Sequence, residues 1–336
     1  MSFKRFDPND IVISSDSISG TAWSTGNPSL TSFFTSSVQR AGSSGDYYLS
    51  VYQTDPDSAP LTSYSQFSIA YCDNKGSGST NFNPGVTGKT ATRTNFGQYR
   101  TLVLEDENAE FQFGNSTNAV SGSHFYAISI DRARYKESLF PGTFNLHISA
   151  SGGLLKLTDN SKTTTVNTFL GASRVFQIVT GSNGTPSGSG FSANNGSYGL
   201  FLPDIGTILL NPQAISESIQ LEASRSNNSD GLNEESLYDA LQLGGNFRLN
   251  SQETITSDYV FVRLRNSEFN YSENPSFISG STGELIYSNF INQPQVYVTS
   301  VGMYNDSNEL LAVAKLSRPL LKDFTKEALI RVKLDF

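Results

Sequence analysis

The sequence is poor in the residues that build metal centres and disulfides. Its 336 residues include one cysteine and two histidines, Cys72, His124 and His147. A structural zinc site uses four cysteine or histidine ligands, so zinc is disfavoured by ligand count. A lone cysteine forms no disulfide within its chain, which leaves Cys72 buried, free or paired with another chain. We favour burial, because a free cysteine packs as a small hydrophobic residue.

Charge and long apolar runs are scarce as well. Charged residues make up 16% of the chain, against about 25% in an ordinary soluble domain. The net charge is -8 and there is no basic cluster to neutralise phosphates, so no nucleic-acid partner is expected. No run of about 18 apolar residues occurs, and no signal-like apolar core follows Met1. We therefore expect no membrane insertion, and assembly in a cytoplasm.

Aromatic and small polar residues take the place of the missing charges. The chain has 23 Phe and 15 Tyr, and 37% of its residues are hydrophobic, which is enough for a sizeable core. Disordered chains carry fewer aromatic residues and more charge. A polar but nearly uncharged surface is typical of secreted β-proteins and of virion proteins.

Alternating apolar residues and regular turn signals predict a mainly β protein with an antiparallel β-sandwich-type body, a few short helices and long Gly/Ser loops. Spacing by three and four residues predicts helices over 90–105, 212–223 and 233–244, the last one capped by Asn233. Strands are predicted at 10–14, 47–53, 66–71, 111–113, 125–131, 143–149, 154–157, 174–179, within 198–210, and at 259–265, 284–287, 295–304, 309–315 and 328–335.

Composition divides the chain into three segments. These are a β-rich body over 1–180, a mixed loop and helix insertion over 181–250, and a β-rich segment over 251–336 that can pack with the first body. The glycine-rich stretch 181–190 is predicted to be either an arm that becomes ordered against a partner or a mobile loop.

The closing strand 309–315 is apolar on both of its faces. Leu310, Ala312 and Ala314 alternate with Leu311 and Val313. This pattern predicts a strand that is buried within a sheet. A buried strand cannot contact a partner, so the loops are expected to make the contacts with neighbouring proteins.

No catalytic, cofactor-binding or metal-binding residue is predicted. Gly88-Lys89-Thr90 lacks the glycine that a phosphate-binding loop needs at position 83, which is Asn83. The glycine-serine motifs at 76–78 and 188–190 are predicted to lie in floppy polar loops that could not position a nucleophile.

The acidic and aromatic residues do not predict a calcium-binding, catalytic or sugar-binding site either. Asp55, Asp57 and Asp204 are interpreted as turn residues, because the EF-hand calcium pattern is missing. Glu105-Asp106-Glu107 is interpreted as a solvated end of an element, and Glu234-Glu235 as a helix start. Most Tyr and Phe residues fall at alternations typical of a core, which disfavours a sugar-stacking surface.

Several segments together resemble the virion structural proteins of contractile-tailed phages, especially the T-even-like phages of marine cyanobacteria. The segments are 3–14, 93–100, 132–142, 271–277 and 301–336. The phrase Gly283-Glu284-Leu285-Ile286-Tyr287 is similar to one near the end of a dimerising baseplate wedge protein of comparable length, although the first half does not align with that protein. The resemblance implies a virion location in the tail or baseplate, after assembly in the host cytoplasm. It also implies contacts with other tail proteins and with copies of the same chain.

Three functions follow as hypotheses. The first is a non-enzymatic structural part of a phage tail, with the baseplate wedge as its position; neck, sheath-terminator and capsid-decoration roles are alternatives. The second is a receptor- or glycan-binding module, which predicts an exposed aromatic cluster. The third is an enzyme, which predicts a pocket with convergent carboxylates or a Ser/His pair.

Overall fold

The structure is a computed structural model. It describes residues 8–21, 35–40, 46–53, 56–57, 61, 63–79, 83, 89–164, 168–221, 223, 232–272 and 274–335.

Twenty strands and four α-helices make up the described chain. In chain order the strands are β1 (Ile11–Thr21), β2 (Thr35–Arg40), β3 (Asp46–Tyr52), β4 (Ser65–Asp73), β5 (Phe111–Phe113), β6 (Val120–Gly122), β7 (His124–Ile130), β8 (Ser138–Leu139), β9 (Asn145–Ala150), β10 (Gly153–Asp159), β11 (Thr168–Leu170), β12 (Ser173–Ser182), β13 (Thr185–Pro186), β14 (Gly199–Leu202), β15 (Thr207–Leu210), β16 (Phe247–Arg248), β17 (Ser251–Leu264), β18 (Val296–Tyr304), β19 (Leu310–Lys322) and β20 (Ala328–Asp335). The helices are α1 (Ala91–Leu104), α2 (Pro212–Ile219), α3 (Asn233–Gly244) and α4 (Asn289–Asn292). The mainly β, sandwich-type fold class predicted from the sequence is confirmed.

The chain divides into two compact units. The large unit is Gly20–Glu253, and the small unit combines Met1–Ser19 with Thr254–Phe336. These bounds differ from the three predicted segments. The predicted boundary at 180 falls inside β12, and β14 and β15 of the predicted insertion lie within the main sheet.

A curled sheet of twelve strands forms the frame of the large unit. Its strand order is β16-β9-β10-β12-β14-β15-β7-β4-β3-β2, and β11 and β13 pair with β12. The pairs are antiparallel, and short connections join β2 to β3, β9 to β10 and β14 to β15. Tyr71 of β4 lies opposite Tyr126 of β7, and their ring centroids are 5.2 Å apart.

Both faces of this sheet are buried. Because side chains alternate along a strand, Tyr126, Ile128 and Ile130 of β7 enter one apolar cluster, and Phe125 and Ala127 enter the other. Helices α2 and α3 cover the first cluster through residues such as Leu237, Leu241, Ile215 and Ile219. Helix α1 and the β5–β6 pair cover the second through Phe96, Val103, Phe111 and Phe113. Each such side chain, once fully buried, stabilises the fold by about 1.5–3 kcal/mol.

The helices begin and end largely where the sequence places them. Asn211 caps α2, its side chain accepting a hydrogen bond from the Gln213 amide at 3.1 Å, and Pro212 follows at the first helical position. Gly245 ends α3 in a left-handed conformation, as predicted. The cap predicted at Asn233 is wrong, because Asn233 is the first residue of α3 and its buried side chain donates to the Gly78 carbonyl at 3.4 Å.

The glycine-rich stretch 181–190 is neither an arm nor a free loop. Gly181 lies opposite Pro186 and Ser182 opposite Thr185, so the stretch forms a tight hairpin between β12 and β13. The Gly184 amide donates to the buried Thr158 hydroxyl at 2.7 Å, which fastens the hairpin to β10. Glycine is needed at 184, where the backbone is left-handed with φ +76°.

The small unit contains two thinner sheets. One has the order β1-β17-β20, and the other is the β18–β19 hairpin. Val262, Leu264, Ile330 and Val332 form the buried cluster that joins them. The strand predicted at 284–287 does not form; this stretch contributes one isolated bridge, between Ile278 and Leu285.

A buried glutamate connects α3 to the main sheet. Glu234 is 1% exposed, and its Oε1 accepts a hydrogen bond from the Tyr71 amide of β4 at 2.9 Å. We expect Glu234→Ala to lower the free energy of unfolding by about 1–3 kcal/mol, because a buried amide loses this acceptor. Urea unfolding measures the loss. Glu235→Ala on the same helical turn is the control, and equal losses in the two variants would contradict the assignment.

Asp159 gives the large unit a pH dependence. Its carboxylate is fully buried at the end of β10, where it accepts from the amides of Gly142 at 2.8 Å and Ser161 at 3.2 Å. Burial raises the pKa of Asp159 despite these hydrogen bonds.

The folded state therefore disfavours the ionised form of Asp159, and stability is lost as the pH rises above about 4, the ordinary pKa of an aspartate. We expect Asp159→Asn to gain stability relative to the parent chain between pH 4 and pH 7 in urea unfolding. Asp57→Asn, at an exposed residue, is the control. A difference between Asp159→Asn and the parent that does not change with pH would refute this.

Candidate protein-protein interface

Cys72 lies on β4 and is fully buried, which confirms the prediction of burial. Burial raises the pKa of its thiol well above the ordinary range, and the carboxylates of Glu234 and Asp73 raise it further. A thiol held protonated is a poor nucleophile and a poor metal ligand.

The two histidines are not brought together along the sheet. His124 is buried on β7 and His147 is half-buried on β9, and four strands separate β7 from β9 in the sheet order. Burial lowers the pKa of His147, and the nearby Lys156 lowers it further.

The motif at 76–78 is not floppy, contrary to the prediction. Gly76, Ser77 and Gly78 are buried in a turn in which Asp73 Oδ1 accepts from the amides of Lys75 at 2.8 Å and Ser77 at 3.2 Å. A side chain at Gly78 would meet the Tyr71 ring at 2.6 Å, so glycine is required by close packing.

The Gly88-Lys89-Thr90 motif shows no phosphate-binding context in its described part. The Thr90 hydroxyl donates to the Gly76 carbonyl at 2.8 Å, and Lys89 is exposed. Gly88 lies outside the described residues.

The acidic residues considered in the sequence are dispersed or already bound. Arg174 holds Asp204 through a close ion pair, with 2.6 Å between its Nη2 and Oδ1. Asp57 is exposed and Asp55 lies outside the described residues. Within the described part of the chain, no three His, Cys, Asp or Glu side chains come together as a metal site.

One polar cavity of about 480 Å³ contains a carboxylate, that of Glu217 on α2. The Ser192 hydroxyl donates to Glu217, and so do the side-chain amides of Asn194 at 2.5 Å and Asn195 at 3.0 Å. These hydrogen bonds, that of Ser192 foremost, lower the pKa of Glu217. Glycoside hydrolysis uses two carboxyl groups, one with a raised pKa, and Glu217 is the only carboxylate in this lining. The arrangement fastens the 192–195 loop to α2.

An aromatic cluster lies in the small unit. Phe277 and Phe290 meet edge to face with 4.6 Å between their ring centroids, and Tyr271 and Tyr287 adjoin them. About half of each tyrosine is exposed, so two rings are open to solvent. Most aromatic residues were assigned to the core from the sequence, so this cluster was not predicted.

The largest departure from the sequence prediction lies in the β18–β19 hairpin. Its inner face packs on the buried cluster of the small unit through Val298, Val301, Met303, Ala314 and Leu316. Its outer face, which we call the hairpin face, carries five large side chains: Tyr297, Tyr304, Leu310, Leu311 and Val313, which are 64%, 45%, 53%, 68% and 60% exposed. The last three of these were predicted to be buried. Within the described part of the small unit, no element covers this face.

The register explains how these residues come to lie together. Gly302 lies opposite Val313 and Tyr304 opposite Leu310, and an irregularity between these pairs places Leu310 and Leu311 both outward. The Tyr304 ring approaches Gly302, where an added Cβ would meet it at 3.0 Å. The prediction of burial for 309–315 is therefore wrong, because the small residues Ala312 and Ala314 point inward and the larger ones outward. That size alternation was the one available signal in the sequence.

The inner face is also incompletely filled. A cavity of about 740 Å³ separates the hairpin from the β1-β17-β20 sheet, lined by aliphatic side chains such as Val260, Val262 and Met303. Asn305, Asp306 and Asn308 of the hairpin turn line it as well. The β18–β19 hairpin thus has apolar surface on both faces: its inner face lines the cavity, and its outer face is exposed.

Comparison with known proteins identifies no relative. No protein-family model, no curated protein and no solved structure matches the chain. Among the described helices, none combines the length and the apolar character needed to span a bilayer.

The burial of Cys72 is directly measurable. We expect a thiol reagent to leave Cys72 unmodified in the native protein and to modify it fully in urea, because the buried thiol is both inaccessible and protonated. Release of the chromophore of an aromatic disulfide reagent reports the reaction. Ser121→Cys, at an exposed residue, is the positive control. Rapid native labelling of the parent chain would contradict the structure.

Proposed function

We propose that this chain is a non-enzymatic structural component of a contractile phage tail, located in the baseplate wedge and acting through contacts with other tail proteins and with copies of itself. The observation that carries the proposal is the hairpin face, five large apolar and tyrosine side chains on a two-stranded sheet. The resemblance of five sequence segments to virion proteins of contractile-tailed phages supports it independently.

The hairpin face has the character of an interface. Aromatic residues such as tyrosine are enriched at the centres of protein contacts, and these centres are more apolar than the rest of the protein surface. Exposed apolar patches on a folded protein mark association sites. Leu311 and Val313 are exposed by 68% and 60%, and they share the hairpin face with the exposed Leu310 and Tyr304.

A second candidate is a receptor- or glycan-binding module of the same virion. The aromatic cluster favours it, because Tyr271 and Tyr287 present rings to solvent beside Phe277 and Phe290. The four rings also contact one another. Such contacts equally support a structural role, in which the cluster holds its segment in place by aromatic packing.

Particle assembly tests the first proposal. We expect the chain to be present in purified virions and to cross-link there to neighbouring tail proteins. Particles made with the double variant Leu311→Asp, Val313→Asp should lose the chain, because two charges would be buried in the interface. Mass spectrometry of purified particles measures its content.

Leu243→Asp is the matched control, since Leu243 is 74% exposed on α3 of the large unit. We expect this variant to be incorporated like the parent chain. Absence of the parent chain from purified virions would contradict the proposal. Incorporation of the double variant at the level of the parent chain would show that the hairpin face is not needed for assembly.

Glycan binding separates the two candidates. If the chain is a structural part, we expect the isolated protein to bind no immobilised glycan tightly. Under the second candidate it binds, and Tyr287→Ala weakens binding by up to about tenfold, the size of one lost aromatic contact. Phe169→Ala, at an exposed residue on β11, is the control.

A further inference from the structure

One lysine of the small unit is fully buried. Lys322, the last residue of β19, is 0% exposed, and lysines are almost never buried to this extent unless they are paired. Three oxygens accept hydrogen bonds from its Nζ. They are the backbone carbonyls of Asn266 at 3.0 Å and Asp323 at 3.1 Å, and the side-chain Oδ1 of Asn270 at 2.8 Å. None of these three acceptors carries a charge, so they do not neutralise an ammonium group.

The lysine amine and the Asn270 carboxamide are held together by a shared acceptor. The Asn266 carbonyl accepts from Lys322 Nζ and also from Asn270 Nδ2 at 2.7 Å, so both nitrogens lie against the same oxygen. Both asparagines belong to the segment that follows β17, in which Phe269 has a left-handed backbone with φ +55°. A bulky residue adopts this conformation only where surrounding contacts hold it, so the segment presents Asn270 to Lys322 in a fixed orientation.

We infer that Lys322 and Asn270 become joined by an amide bond between their side chains. Nζ, as a neutral amine, attacks Cγ of Asn270. The Nζ–Cγ bond forms, the Cγ–Nδ2 bond breaks, and one proton passes from Nζ to Nδ2, which leaves as ammonia. Atoms and electrons balance without an added reactant. The inference goes beyond the proposed function, because it concerns the chemistry of the small unit whatever the chain assembles with.

Burial favours the neutral amine that this step requires. It lowers the pKa of Lys322, whereas the carboxylates of Asp323, Glu268 and Glu327 act in the opposite direction. Removal from water activates lysine amines as nucleophiles in enzymes in the same way.

Glu268 is the carboxylate in the same segment as the reacting carboxamide. It is half-buried and lies two residues before Asn270, and its charge acts on Lys322. We assign it the proton transfer, in which it accepts a proton from Nζ and returns it to the leaving Nδ2.

The bond links the two sheets of the small unit. Asn270 follows β17 of the first sheet, and Lys322 ends β19 of the hairpin. The cavity of about 740 Å³ lies between these sheets, so the apolar packing that joins them is incomplete. A covalent link restricts the unfolded chain between its two ends, as a disulfide does, and therefore stabilises a unit of this kind.

Mass spectrometry of the denatured protein tests the bond. We expect the parent chain to weigh about 17 Da less than the mass calculated from its sequence, the mass of one ammonia. Trypsin should release residues 266–315 joined to residues 316–326, because an acylated Lys322 is not cleaved. Lys322→Arg and Asn270→Ala should each restore the full mass and release residues 316–322 separately.

Lys326→Arg is the matched control, because Lys326 is an exposed lysine just after Lys322, and it should keep the loss of mass. We expect Glu268→Gln to slow the reaction several-fold or more, so that the full mass predominates in freshly purified protein. The main result is measured on the parent chain, so it does not depend on whether a variant folds.

A parent chain of full mass, or release of residues 316–322 from the parent by trypsin, would overturn the inference. Loss of ammonia at an Asn-Gly step such as Asn183-Gly184 gives the same mass change, but it leaves residues 316–322 unlinked and persists in Lys322→Arg. That outcome would overturn the bond as well. An unchanged reaction in Glu268→Gln would overturn the role of Glu268. None of these outcomes changes whether the chain is present in virions, so failure here is distinct from failure of the proposed function.

Discussion

Two-sided burial of the β4–β7 pair is the constraint on which the large unit depends. Phe67, Ile69 and Tyr71 of β4 enter one apolar cluster with Tyr126 and Ile128 of β7, while Ala70 and Cys72 face the other way. Helices α2 and α3 close the first cluster, and helix α1 with the β5–β6 pair closes the second. Glu234 also holds α3 to β4 through a hydrogen bond. The apolar packing and this polar contact therefore favour the same position of α3 on the sheet.

The small unit works under the opposite constraint. Its two sheets have too few strands and too few large side chains to close a core, and among its described apolar residues only Val262, Leu264, Ile330 and Val332 are buried. Apolar surface left over from such a sheet costs free energy in water, and association with another surface is the usual way to recover it. The exposed hairpin face is consistent with this shortage.

Sequence periodicity predicted most elements because alternation and capping are local properties. β7, β12 and α1 lie where the spacing of Phe125, Val179 and Phe96 places them. The 181–190 hairpin was missed because its glycines supply left-handed turns rather than flexibility. The hairpin face was missed for a different reason. An apolar strand such as 309–315 has the same pattern whether two layers cover it or one, and the number of layers is set by distant parts of the chain. The strand register and the exposed outer face of the hairpin could therefore be determined only from the folded structure.

The two segments of the small unit lie on either side of the large unit in the chain, so its strands become available at different times during synthesis. Strand β1 begins before the large unit but pairs with β17, which follows more than two hundred residues later. At about 5–20 residues per second, β1 waits on the order of ten seconds to a minute for its partner. During that interval the contiguous large unit can fold behind it, whereas Val12 and Ile13 have no sheet to join. β18 and β19 emerge after the whole large unit and before β20, so the surface proposed for association forms only after the large unit has been synthesised.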